Sequence, residues 1–244
     1  MEVKRRSVGG LVEKNRSILT AAACAVACLV PSIANAALTE KTGTFAGATV
    51  TYEVVTPAGY DPARAYRAVL VLTGGPQTLS GARRIAEQWR PEAERRGYIV
   101  VSPATPDGSL FFEAADRIFP SFLEMIRRDY KVAGKMHIAG LSNGGVSAFH
   151  VAARYPQYFS TLTGFPGLLD GPDVQLAQAI KPMCIFMHVG DRDSSWRSAM
   201  EEQSKQLAAK GFSVRLGVEK NEDHIIRAAD LPSRMFDEIE SCRR

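Results

Sequence analysis

The sequence predicts an α/β protein in which helices cover both faces of a mostly parallel β-sheet. From Thr44 onward, short apolar runs alternate with stretches of helical spacing. Most of these runs are continuously apolar, which is typical of strands buried on both faces. The chain has 244 residues, 45% hydrophobic and 23% charged, enough for one domain with a large core. These fractions exclude disordered, collagen-like and disulfide-dense proteins.

The pattern along the chain gives each element an approximate position. Strands are predicted at 48–55, 67–72, 98–101, 137–139, 159–163, 183–189 and 212–218. Helices are predicted at 82–96 (interrupted near Pro91), 118–130, 143–154, 195–209 and 229–241, with a short one at 173–179. We expect the first two strands, 48–55 and 67–72, to form an antiparallel edge of the sheet.

The clearest chemical signal is the segment 140–145, Gly-Leu-Ser-Asn-Gly-Gly. It joins a predicted strand to a predicted helix, which is the setting of a Gly-x-Ser-x-Gly nucleophile elbow. The turn must be so tight that positions two before and two after the serine have no room for bulky side chains. Ser142 is therefore predicted to be a nucleophile. The alternative is a glycine-rich turn in which Ser142 only caps the helix.

A serine nucleophile needs a general base, and the chain has four histidines. His224 follows the strand at 212–218, and the ligand site of such sheets lies at the carboxyl ends of the strands. We therefore predict His224 as the base. His137 and His150 are expected to be structural, and His188, near the end of a strand, is a candidate for a supporting role.

The base in turn needs a carboxylate to orient it. Gly190-Asp191-Arg192-Asp193 follows the strand at 183–189, so either aspartate could serve. The Gly-x-x-Asp spacing favours Asp193. Asp223 ranks third, because it would have to fold back on its own loop.

The order Ser142, Asp193, His224 is that of the α/β-hydrolases. Together with the segments 140–145, 155–159 and 190–193, it makes the region 68–224 resemble a small secreted esterase of the feruloyl-esterase and polyhydroxybutyrate-depolymerase, or dienelactone-hydrolase-like, type. The resemblance implies the α/β-hydrolase fold. With only about 19 residues between the strands at 159–163 and 183–189, no lid domain is expected.

The resemblance also implies an oxyanion hole made of two backbone N–H groups. One belongs to Asn143, the residue after the nucleophile. The other comes from the loop after the strand at 67–72, where the family often has His-Gly followed by the donor residue. In the segment Thr-Gly-Gly-Pro at 73–76, Gly75 falls at this donor position, and Pro76 has no N–H to donate. Thr73 stands where the family often has histidine.

Aromatic residues near the predicted site are candidates for contact with substrate. They are Phe111, Phe112, Phe165 and Trp196. For Phe111 and Trp196 a role as core residues that anchor helices is an equal alternative. An open cleft bordered by aromatic rings would suit an aryl ester, a medium acyl ester or the end of a polymer.

The first 36 residues have the parts of a bacterial export signal. A basic front precedes the apolar run 18–30, and Ala34-Asn35-Ala36 forms a small-x-small cleavage site. We expect cleavage after Ala36, a single catalytic domain at 37–244, and a periplasmic or secreted protein without stable membrane insertion. An uncleaved anchor is the alternative. The net charge of +4 comes mostly from this leader, so no nucleic-acid partner is expected.

Two cysteines, Cys184 and Cys242, remain after cleavage. Export permits a disulfide between them, but their apolar surroundings favour two buried free thiols. Neither their spacing nor their neighbours suggest a metal site, and a serine mechanism needs no cofactor.

Together these features predict an exported serine hydrolase that cleaves a small-molecule or polymeric carboxylic ester through an acyl-enzyme. A serine peptidase on the same fold and a non-catalytic binding protein on a hydrolase scaffold are the alternatives. Nothing in the sequence sets the oligomeric state.

Overall fold

The computed structural model describes residues 36–171 and 174–242, and within these ranges eight strands form one sheet. The strands are β1 (Ala37–Phe45), β2 (Ala48–Thr56), β3 (Arg67–Leu72), β4 (Tyr98–Pro103), β5 (Met136–Gly140), β6 (Phe159–Gly164), β7 (Cys184–Gly190) and β8 (Ser213–Glu219). The α-helices are α1 (Leu79–Arg96), α2 (Phe119–Asp129), α3 (Asn143–Arg154), α4 (Val174–Ala179), α5 (Ser194–Ala209) and α6 (Leu231–Ser241).

The order of strands in the sheet is β1-β2-β4-β3-β5-β6-β7-β8. The six strands β3 to β8 are parallel to one another, whereas β2 is antiparallel to both β1 and β4. The predicted mostly parallel sheet is confirmed. Since the carboxyl ends of β3, β5, β7 and β8 share one edge, the loops that follow these strands meet there.

The sheet has an antiparallel edge, but the prediction of which strands form it was wrong. The edge is a hairpin of β1 and β2, closed by Ala46 and Gly47, both at positive φ. β1 was missed because most of its side chains are exposed and it therefore lacks an apolar run. β3 lies inside the sheet between β4 and β5, where a continuously apolar strand is buried on both faces.

Helices cover both faces of the sheet, as predicted. Alternate residues of β3 point to opposite sides: Leu70 joins the core under α2, α3 and α5, and Val71 joins the core under α1 and α6. In the second core the rings of Trp89 and Phe236 lie 5.3 Å apart and join α1 to α6. The sheet is thus held rigidly between two apolar layers.

The predicted helix interruption near Pro91 is not observed, because α1 continues through this residue. Pro91 lies on the exposed side of the helix. Water can solvate the carbonyl that proline leaves without a donor there, which limits the cost of the missing hydrogen bond.

Cys184 and Cys242 form a disulfide, with Cα atoms 6.1 Å apart, so the expectation of two free thiols was wrong. Cys242 follows α6 directly and continues the helix face that carries Met235 and Ile239. That face packs on the sheet, which brings Cys242 to the start of β7. The bond fastens the last helix to the strand that leads to Asp193.

The predicted export signal lies outside the described residues, apart from Ala36. In the described part of the chain, no helix combines the length and the apolar character needed to span a membrane. Between β6 and β7 the described residues contain α4 and loops, in agreement with the expectation of no lid domain.

Candidate active site

The turn between β5 and α3 has the tightness that the sequence pattern demands. A Cβ atom on Gly140 would overlap the carbonyl oxygen of Gly144, and one on Gly144 would overlap the carbonyl oxygen of Leu72. A Cβ on Gly145 would overlap the carbonyl of Pro166, a constraint the pattern did not predict. Only glycine fits at these three positions, so β5, α3 and the neighbouring loops can approach one another closely.

Ser142 sits at the apex of this turn in an unusual backbone conformation, with φ 55° and ψ −120°. Two hydrogen bonds hold it there. Its N–H donates to Pro166 O at 2.8 Å, and the N–H of Leu141 donates to Leu72 O at 3.1 Å. A non-glycine residue at positive φ is strained. Here the hydrogen bonds to the neighbouring backbone hold Ser142 in this conformation.

The side chains of Ser142, His224 and Asp193 form one hydrogen-bonded chain. His224 Nε2 lies 2.8 Å from Ser142 Oγ, and His224 Nδ1 lies 2.6 Å from Asp193 Oδ2. The Asp193 side chain is 10% exposed and that of His224 is 37% exposed, so the carboxylate is buried behind the imidazole. The structure therefore brings together the three residues that the sequence singled out.

The loops that carry Asp193 and His224 are packed directly on each other. The N–H of Asp191 donates to Glu219 O, and the N–H of Arg192 donates to Glu222 O, at 2.9 and 3.0 Å. A Cβ on Gly190 would overlap the carbonyl of Glu222, so a glycine is required at the end of β7. This close contact between loops sets the separation of acid and base.

Of the three candidate acids, Asp193 contacts His224. It is also the N-cap of α5, so its backbone is fixed by the start of a helix. Asp191 lies nearby, but its buried Oδ1 has no hydrogen-bond partner among the described residues.

The two residues predicted for the oxyanion hole lie beside Ser142. As the first residue of α3, Asn143 has no intrahelical acceptor for its N–H. Its side-chain amide donates to Gly75 O at 3.1 Å, and Gly75 adopts φ +62°, a conformation suited to glycine. Gly75 and Ser142 line the same cavity. The roles of both N–H groups stay predictions.

One residue that holds this loop was missed from the sequence. Gln77 is fully buried. Its amide donates to Ser147 Oγ and accepts from the N–H of Phe111, both at 2.9 Å. It thereby ties the loop after β3 to α3. A polar residue next to a Gly-Gly-Pro turn is typical of a solvent-exposed loop, so the sequence did not indicate that Gln77 is buried.

Two cavities flank the three residues. The first cavity, about 440 Å³, is called the polar cavity here because its lining residues include four with hydroxyl groups, a histidine and an arginine. They are Thr73, Gly74, Gly75, Pro76, Thr78, Ser80, Gly81, Arg84, Leu141, Ser142, His224 and Ile225. The apolar cavity, about 340 Å³, is lined by Phe112, Val146, Leu168, Asp170, Ser195, Trp196 and Ala199. The apolar cavity adjoins the site because Val146 is one helical turn beyond Ser142 and the ring of Trp196 lies 5.4 Å from that of His224.

Of the four aromatic residues predicted to line the site, Phe112 and Trp196 border the apolar cavity. Phe111 and Phe165 do not, and for these two the prediction was wrong. Phe111 is fully buried against Phe119, at 5.0 Å between rings. Phe165 packs with Trp89 in the core under α1, at 6.0 Å. Both are anchors of the apolar core.

The other histidines have structural partners. His137 is buried and bonds to Thr161 Oγ1 at 2.8 Å; burial lowers its pKa to about 4. His150 pairs with Asp116. His188 does not contact the site, because its two ring nitrogens face the carboxylates of Glu219 and Glu238 at 3.0 and 2.9 Å. In the described part of the chain, no group of three or more His, Cys, Asp or Glu side chains is arranged to hold a metal ion.

Comparison with known proteins gives structural matches only. No family model matches the sequence, and neither does any curated protein. A solved thermostable esterase is 20% identical, with a TM-score of 0.63 over 75% of this chain and 54% of that one. The feruloyl esterase module of Clostridium thermocellum, solved with sinapinate, is 15% identical, with a TM-score of 0.66 over 84% of this chain and 87% of that one.

A third match is larger than this protein. A Bacteroides ovatus protein assigned as a dipeptidyl aminopeptidase IV is 16% identical, with a TM-score of 0.69 over 85% of this chain. This chain spans 36% of that protein and about half of the thermostable esterase. At these identities the likeness concerns the fold. The order of strands, the helices on both faces and these matches together show that the chain has the α/β-hydrolase fold and resembles esterases of the feruloyl-esterase type.

Proposed function

We propose that this protein is an exported serine hydrolase that cleaves carboxylic esters. The observation that carries the proposal is the continuous chain from Ser142 Oγ through His224 to Asp193 Oδ2, with both hydrogen bonds between 2.6 and 2.8 Å. A nucleophile, a base within hydrogen-bond reach and an orienting third group are the requirements for covalent catalysis by serine.

The chemistry follows from this arrangement. Ser142 attacks the acyl carbon while His224 accepts its proton through Nε2, and the N–H groups of Asn143 and Gly75 stabilise the oxyanion. His224 then protonates the leaving alcohol, and an acyl-enzyme remains on Ser142. Water attacks this ester with His224 again as the base. The bond between the acyl carbon and Ser142 Oγ then breaks, His224 returns the proton to Ser142, and the carboxylic acid leaves. Asp193 holds the imidazole in the required tautomer throughout. Nucleophile, base and oxyanion donors all come from the protein, so the mechanism uses no cofactor.

The main alternative is a serine peptidase on the same fold, which the structural likeness to the Bacteroides ovatus protein keeps open. Ester cleavage is favoured because the feruloyl esterase module matches this chain over most of both lengths. Two substrates separate the two candidates: 4-nitrophenyl butyrate, and a dipeptide 4-nitroanilide with a free amino terminus, which a peptidase of that kind would cleave. We expect turnover of the ester and none of the anilide.

The first experiment is labelling with a fluorophosphonate, which reacts with activated serines. Wild type should be labelled at Ser142, and Ser142→Ala should not. Ser198→Ala removes an exposed serine of α5 that borders neither cavity and should label like wild type. If folded wild type is not labelled and no ester is cleaved, the mechanism is wrong and the site is that of a binding protein.

Export is tested separately. After expression of the full chain in a bacterium, the protein recovered from the periplasm or medium should begin at Ala37. A full-length protein that stays with the membrane fraction would support the uncleaved anchor instead.

A further inference from the structure

We propose that Arg84 makes this enzyme selective for esters that carry a carboxylate, a preference that rests on the ester hydrolase activity proposed above. The observation is a difference in charge between the two cavities beside Ser142. The polar cavity contains one guanidinium, and its described lining residues include no Asp or Glu. The apolar cavity contains the carboxylate of Asp170 and, among its described lining residues, no cation.

Arg84 projects from the second turn of α1 into the cavity that Ser142 and His224 also line. The arginine before it in the chain, Arg83, faces Glu53 and Glu87, each at 3.6 Å. Arg84 makes no ion pair with any residue that the structure describes, and its side chain is exposed. It is therefore the cation near the nucleophile that is available to a ligand.

The surroundings of Arg84 favour an anion over a neutral group. The hydroxyl-bearing residues Thr78 and Ser80 line the same cavity, so a polar substituent would meet hydrogen-bonding groups there. A guanidinium presents two parallel N–H donors that match the two oxygens of a carboxylate. Asp170 lines the apolar cavity and would repel a negative charge from it.

These contacts define the substrate class as an ester with an uncharged, largely apolar part and a part that ends in a carboxylate. The apolar part fits beside Phe112 and Trp196, and the carboxylate lies toward Arg84. Which of the two parts is the acyl group is decided by the experiment.

The test compares pairs of esters that differ in charge but little in shape. With the carboxylate on the acyl side, 4-nitrophenyl hemiglutarate is compared with 4-nitrophenyl pentanoate. With the carboxylate on the alcohol side, 4-acetoxybenzoate is compared with its methyl ester. For one of the two pairs, we expect wild type to have the higher kcat/KM on the charged member, and this advantage to shrink as ionic strength rises.

Arg84→Gln should lower the charged-to-neutral ratio of kcat/KM roughly 1.5- to fivefold, the range for an accessible ion pair. It should lower kcat/KM for the charged esters more than for the neutral ones. Arg90→Gln is the matched control, because Arg90 is also exposed on α1 and lies six residues, about 9 Å, further along the helix. It should keep the wild-type ratio.

Three results would overturn the proposal. Wild type could show no preference in either pair, Arg84→Gln and Arg90→Gln could lower the ratio equally, or Arg84→Gln could reduce the neutral and charged esters alike. In all three the neutral esters are still cleaved by wild type, and the proposed ester hydrolase stands. If wild type cleaves no ester and is not labelled by the fluorophosphonate, the proposed function itself fails and this inference falls with it.

Discussion

The indole ring of Trp196 lies against the imidazole ring of His224, with the ring centroids 5.4 Å apart and the planes tilted by 51°. Trp196 belongs to the first turn of α5, and Asp193 is the N-cap of that helix. One helix start therefore holds His224 twice, by a hydrogen bond at Nδ1 and by an aromatic contact on the ring. Trp196 also packs against the core under α2, α3 and α5, which fixes its position, and it borders the apolar cavity.

From this contact we predict that Trp196 positions His224 as well as lining the cavity. Trp196→Ala should lower kcat for 4-nitrophenyl acetate roughly fivefold, because aromatic contacts of this kind contribute about 1 kcal/mol. Acetate is too small to fill the apolar cavity, so a loss with this substrate reports on His224. Trp196→Phe should retain most of the activity.

The control is Phe112→Ala, which opens the same cavity from a residue that makes no ring contact with His224 in the described structure. It should impair esters with bulky aryl groups and spare the acetate. If Trp196→Ala and Phe112→Ala change kcat equally for the acetate and for the bulky aryl esters, Trp196 only lines the cavity and does not position His224.

The two aspartates after β7 give a second prediction. Asp193→Asn should lower kcat by about 10³- to 10⁴-fold, because an amide at this position favours the wrong tautomer of His224. Asp191→Asn should change kcat by no more than a few-fold, since Asp191 does not contact the imidazole. Both variants should unfold at temperatures close to wild type. A larger loss in Asp191→Asn would mean that the loop rearranges to use the other carboxylate.

The residues of this site could be predicted from the sequence because each lies at a strand end with a local signal. Ser142 stands in a glycine pattern that indicates a tight turn. The acid follows the buried strand β7, and the base follows β8, whose side chains are mostly half-buried. The exposed strand β1 and the buried Gln77 could not be predicted. The polar sequence of β1 has no apolar run that would indicate a strand. Gln77 stands in a polar loop sequence that indicates exposure, and tertiary contacts alone bury it.

The direction in which side chains point could not be predicted from the sequence either. Phe111 and Phe112 are adjacent in an irregular loop, where no periodicity tells which ring points inward. The structure buries the first and leaves the second beside the cavity. The cysteines posed the same difficulty, because apolar neighbours indicate burial but not which sulfur atoms meet.

The disulfide should contribute substantially to stability. It closes a loop between positions 58 residues apart, for which the lost chain entropy corresponds to about 4 kcal/mol, and measured values are typically about 2–4 kcal/mol. In the mature chain, the double substitution Cys184→Ala, Cys242→Ala should lower the free energy of unfolding, measured in urea, by about 2–4 kcal/mol. Dithiothreitol should destabilise wild type similarly and leave the double variant unchanged. Two titratable thiols in unfolded, non-reduced wild type would contradict the bond.

Buried His188 and the partly exposed Glu219, Glu238 and Arg234 form a cluster that links β7 and β8 to α6. The guanidinium of Arg234 bonds to both carboxylate oxygens of Glu219, at 3.0 and 2.8 Å. Hydrogen bonds from His188 and Arg234 lower the pKa of Glu219 to about 2. Burial opposes the charged form of His188, but its hydrogen bonds to Glu219 and Glu238 outweigh this and raise its pKa above the usual 6.5.

A raised pKa in the folded state means that folding favours protonated His188. Its contribution to stability is complete below pH 6.5 and is lost as the pH rises through the folded pKa. Glu219 acts in the opposite direction: its contribution is present above pH 4.5 and is lost as the pH falls toward 2. Between pH 4.5 and pH 6.5, the contributions of His188 and Glu219 are both present. Urea unfolding of wild type should therefore show decreasing stability on the alkaline side of pH 6.5.

The variant that isolates this effect is His188→Gln, which keeps a polar side chain in the cluster but does not titrate. Its free energy of unfolding should be lower than that of wild type at pH 6, and the difference should shrink steadily toward pH 9. Glu238→Gln removes one of the two carboxylates that favour the charged ring, so it should weaken the pH dependence without abolishing it. A difference between wild type and His188→Gln that stays constant from pH 6 to 9 would show that His188 is buried in its neutral form and that the cluster stabilises α6 through packing and neutral hydrogen bonds.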